Sequence, residues 1–424
     1  MAIYLFAISI VFTMFVARRK KIRVLSPYGI FIVFQVLYNL MPWVVASSGV
    51  TSTLLSLLSE TRFIDIQLVL SAIANMCFGL VYLFFYRPVP FSEPPRTISP
   101  NARKNYLLCA FPLFLVLCLL CHQYGWHQLT HAGIETGEAI ESLGGMFTVT
   151  AYFKFFFVSV YLYYLYRFGL DKGAWILLSE HVLVLIIDGA RATFVPVFLV
   201  TLFILIDKIS NPRKLKAIYI LALGGFLLSM LTRALVFENS SLLQGVVVPV
   251  TVEGTMGDYS SLQSIQGMEQ LPNPHYTLGA NYLLDPIFWL VPRAIGREGL
   301  LFFDRWTAGL APILSDRFAP MGGFYYVSEA VAAFSYVGPP IVTLLFAFSL
   351  IWVDQHKNMY RILYFAWMPT IGLMFVKVPF ANGFKLFLVQ FLGMCLLKAM
   401  GRYKIVLPRK PMTSIASPRR EVLP

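Results

Sequence analysis

The chain has 424 residues, of which 58% are hydrophobic and only 13% charged, with a mean hydropathy of +0.70. Soluble domains carry about 25% charged residues, so this composition excludes a soluble globular protein. The net charge of +13 does not point to nucleic acid, because the basic residues flank apolar runs, where positive charge mainly sets orientation in a membrane.

Apolar runs near the ~20 residues needed to cross a bilayer recur at 2–17, 27–47, 65–86, 105–121, 148–166, 174–189, 193–207, 217–233, 328–352, 362–380 and 383–400. They predict an all-α, polytopic membrane protein of about eleven spans in a single integral membrane domain over 1–424. A membrane β-barrel is excluded, because its strands alternate over ~10 residues and these runs are continuous. The first run is followed by Arg18-Arg19-Lys20-Lys21. A secretory signal places its positive charges before the apolar region, so this run reads as a retained anchor. Cys77, Cys109, Cys118, Cys121 and Cys395 lie in or at the ends of apolar runs. Packing is their expected role, since none has zinc-ligand spacing with a histidine.

With the carboxyl tail placed in the cytosol, the basic loops at 18–23, 87–104, 167–172, 208–216 and 357–361 all fall on the inner side, as the positive-inside rule requires. The loop His122–Thr148, assigned outside, carries no lysine or arginine. Eleven spans then put the amino terminus outside. The tail 401–424, rich in Pro, Ser and basic residues, is expected to be disordered against the inner surface.

The basic residues left over are Arg62, Lys154, Arg191, Arg233, Arg293, Arg297, Arg305, Arg317, Lys377 and Lys385. All fall on the outer face or near outer helix ends. Arg62, Lys154 and Lys385 read as snorkelling to the outer headgroups. Arg191, in Asp188-Gly-Ala-Arg191, and Lys377 are more pointed, because a charge near the centre of a span costs about 2.5–3.5 kcal/mol and is commonly partnered or functional.

From 234 to 327 no clear span appears, and this long outer loop carries Arg293, Arg297, Arg305 and Arg317. Its first part, 236–274, is polar and loop-like apart from the run 246–252. Next, Tyr282 to Arg293 is apolar, about ten residues long and bracketed by Pro286 and Pro292. Too short to span, it predicts a short interfacial or re-entrant helix, with Arg293 and Arg297 sharing a face if the helix continues. The third part leads through Arg305 and Arg317 into Gly322-Gly323, Tyr326 and Glu329. The glycines fit a turn. Glu329 reads either as a first-turn acid favoured by the helix dipole or as a residue facing a polar cavity.

Guanidinium groups stay charged and present a planar fork to phosphate oxygens. Several together suit a pyrophosphate and would stabilise charge on it as a leaving group. The loop has no Asp-x-Asp and no acidic cluster of metal-site type, and Walker, Rossmann, serine-hydrolase and His-Glu-x-x-His patterns are missing from the chain.

Val291-Pro-Arg-Ala-Ile295 is similar to the I-P-R-A-I/L-W-P-x-K-P segment of the Wzy-type O-antigen and exopolysaccharide repeat-unit polymerases of bacterial inner membranes. Gly322-Gly323, Ser328-Glu329 and Tyr336-Val-Gly338 resemble the glycine-rich turn, acid and aromatic-glycine step that follow in that family, and Asp188-Gly-Ala-Arg191 its Gly-x-Arg/Lys element. The topology resembles the family over the whole chain, the sequence only in these motifs. One departure is plain: Gly296-Arg297-Glu298-Gly299 stands where the family has Trp-Pro-x-Lys-Pro, so Arg297 takes the place of that lysine.

The resemblance implies a GT-C-like fold with one large periplasmic loop and a metal-independent glycosyltransferase without a cofactor. Its partners would be oligosaccharides linked to undecaprenyl pyrophosphate, as donor and acceptor, with membrane lipids around it and a chain-length regulator and flippase nearby. On this reading Arg191, Arg293, Arg297, Arg305 and Arg317 hold pyrophosphate or stabilise it as it leaves, with Tyr326 lining the site. Glu329, Asp188 or His275 would orient or deprotonate the acceptor hydroxyl, although His275 also reads simply as a solvated loop histidine. An O-antigen ligase would use the same donor, and a flippase the same lipid-linked unit. Flippases often show internal repeats, and none is visible here.

Overall fold

A computed structural model describes residues 1–23, 26–47, 61–90, 100–125, 137–188, 197–198, 200–202, 204–205, 260–271, 275–288, 300–310, 324–376 and 378–400. Every regular element among the described residues is helical. In chain order they are α1 (Ala2–Arg19), α2 (Pro27–Ser47), α3 (Thr61–Phe85), α4 (Pro100–Tyr124), α5 (Gly137–Phe168) and α6 (Lys172–Asp188). Then come α7 over 260–270, α8 (Ala280–Leu283), α9 (Asp285–Phe288) and α10 (Phe302–Gly309). The last four are α11 (Tyr326–Phe334), α12 (Gly338–Gln355), α13 (Arg361–Met374) and α14 (Phe380–Met400).

Local sequence sets several of these boundaries. Ser26 accepts the N–H of Gly29 at 3.3 Å, with Pro27 in the first helical position of α2, a place where its fixed φ and missing N–H cost nothing. Asp171 caps α6 by accepting the N–H groups of Gly173 at 2.9 Å and Ala174 at 3.1 Å. Pro339 and Pro340 open α12.

Six helical stretches among the described residues are long and apolar enough to cross a membrane: Ala2–Arg19, Arg62–Phe85, Asn101–Tyr124, Gly145–Phe168, Tyr326–Gln355 and Phe380–Met400. They fit a multi-pass membrane protein. Their outward sides carry large apolar residues in rows, such as Tyr4, Ile8, Val11 and Phe15 on α1, a surface suited to lipid rather than water.

The structure departs from the eleven expected spans in two described places. The run 362–380 forms a helix only to Met374; its 14 residues rise about 21 Å, short of the ~30 Å hydrocarbon core. The run 328–352 is not one helix but two, α11 and α12, broken by a 3₁₀ turn at Ser335–Val337. The run 217–233 lies outside the described residues, as do most of 236–274 and the tail 401–424.

Two groups of helices form. The first joins α1, α2, α3 and α12, with α3 central; the second joins α4, α5, α6 and α14. Between them α13 packs on α2, α12, α5 and α14. Small residues allow close approach, as is usual between membrane helices: a Cβ at Gly79 would lie 2.7 Å from the Phe12 ring, and one at Gly393 would lie 2.7 Å from the Ser159 hydroxyl. Stacked rings fill the first group, with centroids 4.2 Å apart for Phe31 and Phe78 and 4.1 Å apart for Phe346 and Phe375.

Candidate functional site

The segment 277–281, midway along the long loop, folds against the break between α11 and α12. Leu278 and Gly279 both take positive φ, 48° and 83°, and turn the chain into α8. Gly279 is required there twice over, because a Cβ would also lie 2.7 Å from the Phe334 ring. Just before the turn, the Thr277 N–H donates to the Ala332 carbonyl at 3.0 Å and its hydroxyl to Asn281 Oδ1 at 2.5 Å.

Fully buried Asn281 in turn donates its Nδ2 to Glu329 Oε1 at 3.2 Å, and the Phe380 N–H donates to Glu329 Oε2 at 2.8 Å. Glu329 is 2% exposed. This one carboxylate therefore ties together the loop helix α8, its own helix α11 and the first turn of α14. Glu329 does lie in the first turn of α11, but the helix end it serves is that of α14. The N–H groups of a first helical turn lack intrahelical partners, and a carboxylate there is further favoured by the helix dipole. Each Glu329 oxygen has accepted one hydrogen bond from a described residue and retains capacity for another.

Beside this point Asp285 accepts the N–H groups of Phe302 at 2.8 Å and Phe303 at 3.0 Å, capping α10. Burial pushes its carboxyl above the ordinary range, opposed by those two donors and by the Arg305 guanidinium. Arg305 lies over the Phe302 ring, 5.6 Å from its centroid. His275 is exposed in the segment leading to Thr277.

Tyr326 turns into the bundle instead of toward the loop. Its hydroxyl accepts Gln35 Nε2 at 3.1 Å and pairs with the Thr343 hydroxyl at 3.0 Å. The neighbouring Tyr325 hydroxyl donates to Gln35 Oε1 at 2.6 Å and accepts Asn39 Nδ2 at 3.0 Å. Ser261 of α7 donates to Gln67, whose own amide reaches Asn39 Oδ1 at 3.4 Å. A buried amide–hydroxyl network thus supports the start of α11 from α2 and α3.

Asp188 sits elsewhere. It ends α6 and pairs with Lys154 of α5 at 2.7 Å, the two side chains being 1% and 6% exposed. The expected snorkelling of Lys154 is thereby corrected: a buried carboxylate across the helix interface is a stronger partner than a distant headgroup. Arg62 is exposed and pairs with Glu269 of α7, which also accepts the Tyr336 hydroxyl at 2.5 Å. Lys385 lies 4.6 Å from the centroid of the Tyr152 ring.

Of the residues singled out from sequence, the structure places Glu329 and Arg305 around the short helices α8 to α10, where Asp285 joins them, and Asp188 between α5 and α6. Arg191, Arg293, Arg297, Arg317, Lys377 and the pair Gly322-Gly323 lie outside the described residues. Sequence reasoning missed Asn281, Thr277 and the Gln35–Asn39–Gln67 set. The last had a readable signal, two amides four residues apart within an apolar run, since polar residues on a spanning helix bond across to neighbours.

Comparison with known proteins gave no match: no family model, no curated protein and no solved structure matches this chain. Its chemistry has to be judged from the residues. A buried carboxylate whose two oxygens each keep acceptor capacity has the chemistry to orient a hydroxyl and take up its proton.

Proposed function

We propose that this chain is a glycan polymerase of the bacterial inner membrane, with its amino terminus in the periplasm and its carboxyl tail in the cytoplasm. It transfers a growing glycan from undecaprenyl pyrophosphate onto the terminal hydroxyl of a lipid-linked repeat unit. The observation that carries this reading is the Glu329 carboxylate, buried where the long loop meets the spans and held by Asn281 and the Phe380 N–H. Ionisable residues within spans are costly and usually serve a function.

In this mechanism the acceptor hydroxyl gives its proton to a carboxylate, with Glu329 favoured over Asp188 because Asp188 is already neutralised by Lys154. The acceptor oxygen bonds to the anomeric carbon of the donor. The bond from that carbon to the phosphate oxygen breaks, and undecaprenyl pyrophosphate leaves with the electron pair. Arg191, Arg293, Arg297, Arg305 and Arg317 are assigned to pyrophosphate, where guanidinium groups stabilise the leaving charge. A GT-C-like arrangement of about eleven spans belongs to the same proposal.

The test is deletion of the chain followed by analysis of lipid-linked and surface glycans, with Glu329→Gln and Arg293→Ala as complementing variants. Loss of the polymerase leaves single repeat units at the surface. Glu329→Gln is expected to slow extension by roughly 10²–10⁴-fold, the usual contribution of a positioned acid or base, while the protein still reaches the membrane. Full-length chains retained on undecaprenyl pyrophosphate would instead identify a ligase. A unit trapped on the cytosolic leaflet would identify a flippase. Normal chain lengths in both variants would overturn the assignment.

A further inference from the structure

We infer that the Tyr282 hydroxyl is a substrate-contacting group that donates a hydrogen bond to an oxygen of the glycan acceptor beside Glu329; this rests on the polymerase reading. Tyr282 stands on α8 next to Asn281, the residue that holds Glu329, and its ring meets the Phe380 ring edge-on with centroids 5.4 Å apart. Phe380 is the residue whose N–H binds the same carboxylate. The Tyr282 ring is therefore placed at the junction of α8, α11 and α14.

The Tyr282 hydroxyl oxygen is buried and has no hydrogen-bond partner among the described residues. Its neighbours are otherwise well matched: Thr277, Asn281, Glu329 and Asp285 all have partners. Buried polar groups are ordinarily satisfied, and an exception calls for a reason. A tyrosine whose ring packs but whose oxygen bonds to nothing gains no stability from that oxygen. A phenylalanine would serve the fold at least as well.

Two further features point to a ligand. The backbone leading into α8 is strained, since Leu278 is a non-glycine residue at φ 48°, and strain of this kind gathers where a site requires a fixed geometry. Burial, and then the nearby Glu329 carboxylate, push the Tyr282 hydroxyl well above the ordinary tyrosine range. It therefore keeps its proton at any working pH and acts as a donor. A sugar offers many oxygens as acceptors. With Glu329 accepting from the reactive hydroxyl and Tyr282 donating to an adjacent oxygen, two contacts of opposite polarity would fix the acceptor ring.

The experiment uses full-length wild-type and Tyr282→Phe protein in proteoliposomes. The probe is the undecaprenyl-linked repeat units extracted from a strain lacking the chain. Binding is read by quenching of intrinsic fluorescence, extension by gel analysis of the glycan, and stability by thermal unfolding. The expected result is that Tyr282→Phe melts at or above the wild-type temperature yet binds the probe about tenfold more weakly, the size of one hydrogen bond lost from a satisfied site. Binding equal to wild type overturns the inference, whether or not the wild type extends glycan. A variant that melts well below wild type also overturns it, because the oxygen would then be supporting the fold. Wild type that binds but does not extend would sink the polymerase reading alone. Wild type that does not bind the probe would sink both.

Discussion

Lys154 and Asp188 illustrate how much one residue's neighbour decides. Each alone would be a charge within or at the end of an apolar helix. Paired at 2.7 Å and both nearly inaccessible, they neutralise one another across the α5–α6 interface. Removing one partner of a buried pair commonly costs about 3–5 kcal/mol, whereas replacing both with apolar residues is often near neutral. Lys154→Met is therefore expected to lower the unfolding free energy by that amount, and the double variant Lys154→Met/Asp188→Leu to recover most of it. Denaturant unfolding in detergent measures both.

The element that matters most is the short α11. Its nine residues end at Phe334, and Ser335 follows at φ 60° and ψ −151°, a region almost reserved to glycine that costs about 1–3 kcal/mol for other residues. Gly338 closes the break, because a Cβ there would lie 1.9 Å from the Ala330 carbonyl oxygen. The result is a discontinuous helix whose first half carries Glu329. Ser335→Gly is expected to raise stability by about 1 kcal/mol by relieving this strain, seen as a higher melting temperature. If the proposed polymerase reading holds and the strain sets the position of Glu329, the same variant is expected to extend glycans more slowly, a common cost of relaxing a strained site. A Ser335→Gly protein no more stable than wild type would show that the turn is not strained.

Across the whole molecule, residues far apart in sequence meet in a buried polar network. Tyr325 bonds to Gln35, 290 positions away, and Tyr326 joins Gln35 to Thr343. These contacts tie α2, α11 and α12 together in the group organised around α3, on which the loop helix α7 also leans through Ser261 and Gln67. Interhelical hydrogen bonds in membranes average about 0.6 kcal/mol and reach about 1.7 kcal/mol. A double-mutant cycle of Gln35→Leu and Tyr325→Phe is expected to give a coupling energy in that range, measured by unfolding in detergent. Zero coupling would mean that the two side chains do not bond in the folded protein.

Composition and the continuity of the apolar runs determined that the chain is helical and built for a membrane, because transfer of ~20 apolar residues into lipid depends on local sequence alone. The same local logic made 282–293 too short to span and marked Glu329 as an acid at a helix mouth. Which helix end Glu329 serves could not be read that way. Its partners, Asn281 and the Phe380 N–H, lie 48 and 51 residues away, and such pairings arise only when the elements pack. The split of 328–352 into α11 and α12 was hidden for a related reason: hydropathy sums over a window and does not register a single residue of positive φ. Lys154 looked like a surface cation because its counter-charge sits on another helix. The sequence by itself determined the medium and the kind of secondary structure, whereas the tertiary structure decided which polar groups meet, since hydrogen bonds and ion pairs act over a few ångströms in space and not along the chain.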